Sequence, residues 1–182
     1  CGGLVGYLGY NVVRSLERLP AHQVDDLRVP DLMLMLTDTM AIFDHAQHKL
    51  LLVANAVTDG RSPRAAYREA VRAIEAMAAQ LRGPLPRTRR RRHARRSSAV
   101  RSTVSRAEFT AMVSRAKESI RGGDIIQVVL SQRLERDLAC EPLDLYRALR
   151  SLNPSPYMFL LRFGSLALVG ASPEMLVRCE DG

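Results

Sequence analysis

The fold class of this chain is decided by the stretch Thr39-Met-Ala-Ile-Phe-Asp-His-Ala-Gln-His-Lys-Leu-Leu-Leu-Val-Ala54. Two apolar runs of strand length enclose the polar residues Asp44 to His48, a pattern typical of two antiparallel strands joined by a turn. The pattern recurs near the other end of the chain, where Tyr157 to Arg162 and Leu166 to Gly170 flank a turn at Phe163-Gly-Ser165. The sequence therefore predicts antiparallel hairpins.

Other elements can be predicted on either side of these hairpins. Apolar residues at steps of three and four predict helices that begin at Pro63, Ser105 and Pro142. The predicted apolar stripes are Tyr67, Val71, Ile74, Ala78 and Leu81 in the first helix, Phe109, Met112, Ala116 and Ile120 in the second, and Leu145, Leu149 and Leu152 in the third. Ser105-Arg-Ala-Glu108 fits a capping box at the start of the second helix. Further strands are predicted over four segments: Gly2–Tyr10, Asp31–Thr37, Asp124–Leu134 and Met175–Arg178. Because strands outnumber helices and come in hairpins, we expect an α+β fold of antiparallel sheets with flanking helices.

The positive charge of the chain is concentrated in one segment. Seven arginines lie between Arg87 and Arg96, and removing them from the net charge of +8 leaves +1. Residues 83–104 also lack an apolar period. We therefore predict three parts: an N-terminal region, 1–82, a solvated linker, 83–104, and a C-terminal region, 105–182. A nucleic-acid site is a less favoured interpretation, because the run has no interleaved aromatic side chains for base stacking.

Composition argues against several classes of protein. No apolar run approaches the ~18 residues of a membrane span. The three cysteines, Cys1, Cys140 and Cys179, form no CxxC pair, which favours a reducing, cytoplasmic compartment. The start, Cys1 to Gly6, lacks the pattern of a signal peptide and is typical of the middle of a strand. We therefore expect the chain to begin inside a larger protein.

Three motifs could carry chemistry, and each has a simpler structural interpretation. Gly3, Gly6 and Gly9 lack the spacing of a phosphate-binding loop, so close strand packing is favoured. His45 and His48 lie in a predicted turn without a third ligand nearby, which argues against a metal site. Adjacent acidic side chains point apart in extended structure and make poor acid/base couples; this applies to Asp25-Asp26 and Glu180-Asp181.

The segment Asn153-Pro-Ser-Pro-Tyr-Met158 leaves two interpretations open. Two prolines fix the backbone on both sides of Ser155 and make a stiff entry into the following strand. A rigid backbone with free carbonyls, followed by Tyr157 and Met158, suits a small ligand with an ammonium group and an aromatic ring. It equally suits a turn between a helix and a strand, with both side chains in the core.

Five segments in fixed order resemble the large subunit of anthranilate synthase, component I, a chorismate-utilising enzyme. They are Gly2–Tyr10, Ser105–Phe109, Gly123–Gln132, Asn153–Met158 and Gly170–Glu174. Residues 126–132 and Met158 favour this family over the large subunit of aminodeoxychorismate synthase, a folate enzyme that stays an alternative. A non-catalytic, tryptophan-binding regulatory fragment is a second alternative. Only residues 84–104 fall outside the resemblance.

The resemblance implies a lyase of tryptophan biosynthesis. Such an enzyme converts chorismate and ammonia to anthranilate and pyruvate with Mg²⁺, and a glutamine amidotransferase small subunit supplies the ammonia. L-Tryptophan inhibits it. The family's tryptophan contacts carry over to Pro156, Tyr157 and Met158, and by adjacency to Asn153 and Ser155.

Parts of the family pattern do not occur in this chain. The Leu-Leu-Glu-Ser half of the tryptophan site belongs upstream of Cys1. The catalytic His, the Mg²⁺-binding glutamates and the Gly-Thr-Arg region belong downstream of Gly182. Asn11 stands where the family pattern has Asp. We therefore assign no catalytic residue and no metal ligand, and expect an incomplete chorismate-utilising fold, inactive alone and with no metal bound.

Overall fold

A computed structural model describes residues 2–20, 24–85 and 98–180. The chain divides into two compact units, Cys1–Thr88 and Arg89–Gly182. Each unit combines helices with small antiparallel sheets, so the predicted α+β class is confirmed. No helix of the described residues is long and apolar enough to cross a membrane.

The first unit holds two antiparallel strand pairs, a short 3-10 helix at Tyr10–Ser15 and one long helix. Its elements are β1 (Gly3–Leu8), β2 (Leu32–Thr37), β3 (Thr39–Asp44), β4 (Lys49–Ala54) and α1 (Pro63–Arg82). β1 pairs with β2, and β3 pairs with β4 as the predicted hairpin. The hairpin turn is closed by the Gln47 N–H, which donates to Asp44 Oδ1 at 2.9 Å, and by His48 at a φ of 53°.

Helix α1 occupies the predicted residues, and Val71, Ile74 and Ala78 of its predicted stripe are half-buried. It begins at Pro63, whose missing N–H is harmless in the first turn, and ends before Gly83. Two residues of the predicted apolar stripe, Tyr67 and Leu81, are exposed. Ala66 is the one fully buried hydrophobic residue among those described. Alanine lets the helix approach β4 more closely than a bulky side chain would.

Over residues 98–180, the second unit contains two helices and two antiparallel strand pairs. Its elements are β5 (Arg101–Ser102), α2 (Arg106–Gly122), β6 (Leu134–Glu135), α3 (Pro142–Leu152), β7 (Tyr157–Phe163) and β8 (Leu166–Ser172). β5 pairs with β6, and β7 pairs with β8. Helix α3 packs against the β7–β8 hairpin. This hairpin extends the predicted strands by one residue on β7 and two on β8.

Two strand predictions were wrong over most of their length. In the segment predicted as a strand over 124–134, only Leu134 is in a strand, and 175–178 forms none. Apolar alternation creates a strand only where another strand supplies hydrogen-bond partners. The described residues offer such a partner only to Leu134–Glu135, and Ile126 and Leu176 are each 98% exposed.

Part of the predicted linker takes part in this small sheet. Arg101 pairs with Glu135 in the β5–β6 register, and their side chains form an ion pair at 3.1 Å. The Thr103 N–H donates to the Arg133 carbonyl at 3.0 Å. The arginine run lies in residues 86–97, outside the described residues. The boundaries at 82/83 and 104/105 stay predictions.

The predicted capping box at the start of α2 is confirmed. The Glu108 N–H donates to Ser105 Oγ at 3.2 Å, and the Ser105 N–H donates to Glu108 Oε2 at 2.8 Å. The Ser105 side chain, and then its backbone N–H, hold the pKa of Glu108 below its ordinary value of 4.5. These bonds satisfy N–H groups that have no partner inside the helix.

Lowering the pH is expected to destabilise helix α2, because the capping box depends on the ionised Glu108 carboxylate. Folding lowers the pKa of Glu108, so its ionised carboxylate stabilises the folded state. This stabilisation is fully present above the ordinary pKa of 4.5 and is lost as the pH falls through the lowered pKa. Glu108→Gln should therefore flatten the fall in the urea midpoint between about pH 6 and about pH 3. Circular dichroism at the helix band measures this midpoint. Glu118→Gln, an exposed position of the same helix, is the control, and an equal flattening there would contradict the assignment.

Candidate functional site

Helix α3 positions the segment that the sequence singled out. The half-buried residues of α3 are Pro142, Tyr146 and Leu149, one stripe at helical spacing. Of the predicted stripe Leu145, Leu149 and Leu152, Leu149 is half-buried as expected, whereas Leu145 and Leu152 are exposed. The Asn153 N–H donates to the Leu149 carbonyl at 2.8 Å and ends the helix.

Two prolines follow Asn153 and enclose a serine with a covered hydroxyl. Pro154 and Pro156 have no N–H to offer the last carbonyls of α3. Ser155 lies between them, and its Oγ is covered but has no hydrogen-bond partner among the described residues. A covered polar atom without a partner costs about 1–3 kcal/mol. The segment is therefore stiff and carries a hydroxyl that a further polar group could satisfy.

Tyr157 and Met158 open β7 on opposite faces of the strand. Tyr157 pairs with Ser172 and Met158 pairs with Ala171, and successive side chains of a strand point to opposite sides. Tyr157 is 44% exposed, whereas Met158 is half-buried. The five predicted contacts thus lie in one segment, but the side chains of Tyr157 and Met158 do not share a face of β7.

A close contact across the hairpin continues the face of Tyr157. Phe159 follows on the same side of β7 and pairs with Gly170 of β8. A Cβ added to Gly170 would lie 2.2 Å from the Phe159 Cζ atom, so the ring occupies the space that a side chain would fill. The sequence alone does not indicate this contact, because Phe159 and Gly170 are joined only by the strand register.

The other sequence candidates lie elsewhere and have structural roles. A Cβ on Gly6 would lie 1.9 Å from the Met33 carbonyl oxygen, which supports close strand packing over phosphate binding. His45 and His48 belong to the β3–β4 turn. Within the described ranges, no group of three His, Cys, Asp or Glu side chains could hold a metal ion. The Asn11 amide donates to Asp31 Oδ1 at 3.1 Å, so this departure from the family pattern is accommodated.

One member of each acidic pair forms a local contact among the described residues. Asp25 Oδ1 accepts the Arg28 N–H at 3.0 Å within the loop that precedes β2. Glu180 forms an ion pair with Arg178, two residues away. Asp181 lies outside the described residues. A solvated or loop-stabilising role accounts for these carboxylates.

A cavity in the first unit was not predicted. It measures about 410 Å³ and lies between α1 and the start of the β3–β4 hairpin. Arg61 and Glu69 form an ion pair at 2.7 Å on its wall. Its other polar lining residues are Asp38, Thr39, Asn55 and Asp59. The five predicted tryptophan contacts line neither this cavity nor the ones beside the 3-10 helix and α2.

The comparison with protein families identifies the chain. The sequence model of the chorismate binding enzymes matches residues 2–182. The chain therefore belongs to the family of chorismate binding enzymes. Within this family, the expected resemblance to anthranilate synthase component I is confirmed by relatives and by a solved structure.

Curated relatives match along the whole chain. Anthranilate synthase component 1 of Acetivibrio thermocellus is 40% identical over 186 residues, which are 100% of this chain and 37% of the relative. The corresponding protein of Thermus thermophilus is 45% identical over 179 residues, 98% of this chain and 37% of the relative. The chain thus spans less than two fifths of the length of these relatives.

A solved structure has the same backbone arrangement. Anthranilate synthase component I from Streptococcus pneumoniae matches with a TM-score of 0.81 and 29% sequence identity. The match covers 100% of this chain and 40% of that chain. The fold described above therefore occurs in that protein as one part of a longer polypeptide.

Proposed function

We propose that this chain serves as part of an anthranilate synthase large subunit. The whole enzyme would convert chorismate and ammonia to anthranilate and pyruvate, with a glutamine amidotransferase subunit as the source of ammonia. The observation that carries this proposal is the similarity to anthranilate synthase component 1 along the whole chain. Because the chain spans under two fifths of these relatives, the activity is proposed for the longer polypeptide.

Mg²⁺ is proposed for the longer polypeptide and not for these residues. Mg²⁺ prefers several oxygen ligands in octahedral geometry, mostly carboxylates and water. The described residues bring no three such acidic or imidazole side chains together.

A chimeric enzyme is expected to test the catalytic proposal. The matched 179 residues of the Thermus thermophilus protein are replaced by the corresponding residues of this chain. We expect the chimera to form anthranilate from chorismate with Mg²⁺ and ammonium, because the replaced region has the same fold. The isolated chain should form none. The growth of anthranilate fluorescence measures both reactions.

Two results would count against the proposal. A chimera that is folded by circular dichroism but forms no anthranilate would show that these residues cannot replace their counterpart. Anthranilate formation by the isolated chain would show that it carries a complete active site. The unaltered Thermus thermophilus protein is the positive control for the assay.

The segment Asn153–Met158 is proposed as half of the site at which tryptophan inhibits the enzyme. The covered Ser155 hydroxyl supports this, because it could bond to the ammonium or carboxylate group of an amino acid. Tyr157 and Phe159 supply an aromatic surface on one face of β7, suited to an indole ring. Met158 would contribute through its backbone, since its side chain leaves the opposite face. Pro156 keeps the backbone between the two groups rigid.

Removing the Tyr157 ring is expected to weaken inhibition by tryptophan. In the chimera, Tyr157→Ala should raise the half-inhibitory concentration of L-tryptophan about tenfold, equivalent to ~1.4 kcal/mol of lost ring contact. The uninhibited rate should change by less than about twofold, because we place no catalytic group at this position. Initial rates at increasing tryptophan concentrations measure both quantities.

A matched tyrosine provides the control for this prediction. Tyr67 on α1 is 66% exposed and lies in the other unit, so Tyr67→Ala should leave inhibition unchanged. Equal half-inhibitory concentrations for the parent and Tyr157→Ala chimeras would remove Tyr157 from the site. The catalytic proposal would still stand in that case, because anthranilate formation is measured without tryptophan.

A further inference from the structure

We draw no further inference here: the strongest candidate, the cavity between α1 and the start of the β3–β4 hairpin, is lined by the exposed carboxylates of Asp38, Asp59 and Glu69, and no buried polar side chain without a partner lines it among the described residues, so nothing in the structure shows what it would bind.

Discussion

Replacing Gly6 by alanine is expected to separate β1 from β2. The new Cβ would lie 1.9 Å from the Met33 carbonyl oxygen and 2.9 Å from the Leu34 Cα atom. Both are backbone atoms, so no rotation of a side chain can relieve the overlap. The strands must move apart, and the hydrogen bonds between them must lengthen or break. Overpacking of this kind costs about 1–3 kcal/mol, and we expect the upper end of that range.

Amide hydrogen exchange measures this effect segment by segment. In the chimera, Gly6→Ala should accelerate exchange about 100-fold over β1 and β2, which corresponds to ~2.7 kcal/mol. Gly122→Ala is the matched control, since its Cβ would meet nothing closer than 3.7 Å, an ordinary contact. Alanine favours a helix over glycine, so that variant should be neutral or slightly stabilising. Unchanged exchange in Gly6→Ala would contradict the close packing of these strands.

Replacing Gly170 by alanine is expected to displace the Phe159 ring and loosen the β7–β8 hairpin. Three ring carbons of Phe159 lie within 3 Å of the position that the new Cβ would take, at 2.2, 2.6 and 2.9 Å. In contrast to Gly6, the obstacle is a side chain, which can rotate at the expense of its contacts. We therefore expect a cost of about 1–3 kcal/mol, measured as faster amide exchange over both strands of the hairpin.

A double-mutant cycle separates the ring contact from other effects of the added methyl group. Phe159→Ala removes the obstacle, so Gly170→Ala should cost at least about 1 kcal/mol less in that background. If Gly170→Ala destabilises the hairpin equally with and without the Phe159 ring, contact with that ring is not the reason why position 170 requires glycine. The cycle measures amide hydrogen exchange over residues 157–172 in the chimera. It does not depend on whether the segment binds tryptophan.

Much of the fold could be predicted because its signals are local. Pro63 and Pro142 mark the first turns of two helices, and Ser105 with Glu108 caps a third. Two hairpins follow from apolar runs on either side of short polar or glycine-containing turns. In each case, residues within a few positions of one another determine the backbone, so no knowledge of distant partners is needed.

Predictions failed where the outcome depends on distant residues. The stretch 124–134 has the alternation of a strand, but outside Leu134 its backbone finds no strand partner among the described residues. Tyr67 and Leu145 have the right spacing for their helix stripes, yet both side chains are exposed at the edge of the half-buried face. Periodicity defines a helix but fixes its rotation toward a neighbour only approximately.

The candidate site also combines features that can be predicted from the sequence with features that depend on the tertiary structure. The rigidity of Asn153–Met158 follows from two prolines and can be read from the sequence. The proposal that this segment binds tryptophan rests on the family resemblance, which covers both halves of the chain. The opposite faces of Tyr157 and Met158, the covered hydroxyl of Ser155 and the Phe159–Gly170 contact depend on the strand register and on packing.

The sequence by itself determined the family, the helix starts and the hairpins, because these depend on residue types at short spacing. Only the tertiary structure decided which strands pair, which side of each helix is buried and which apolar faces stay open. The β1–β2 pair is the clearest case, since Leu4 and Leu36 are distant in sequence and meet only through the strand register. Alternation along one strand predicts that a face exists, whereas pairing and packing decide what covers it.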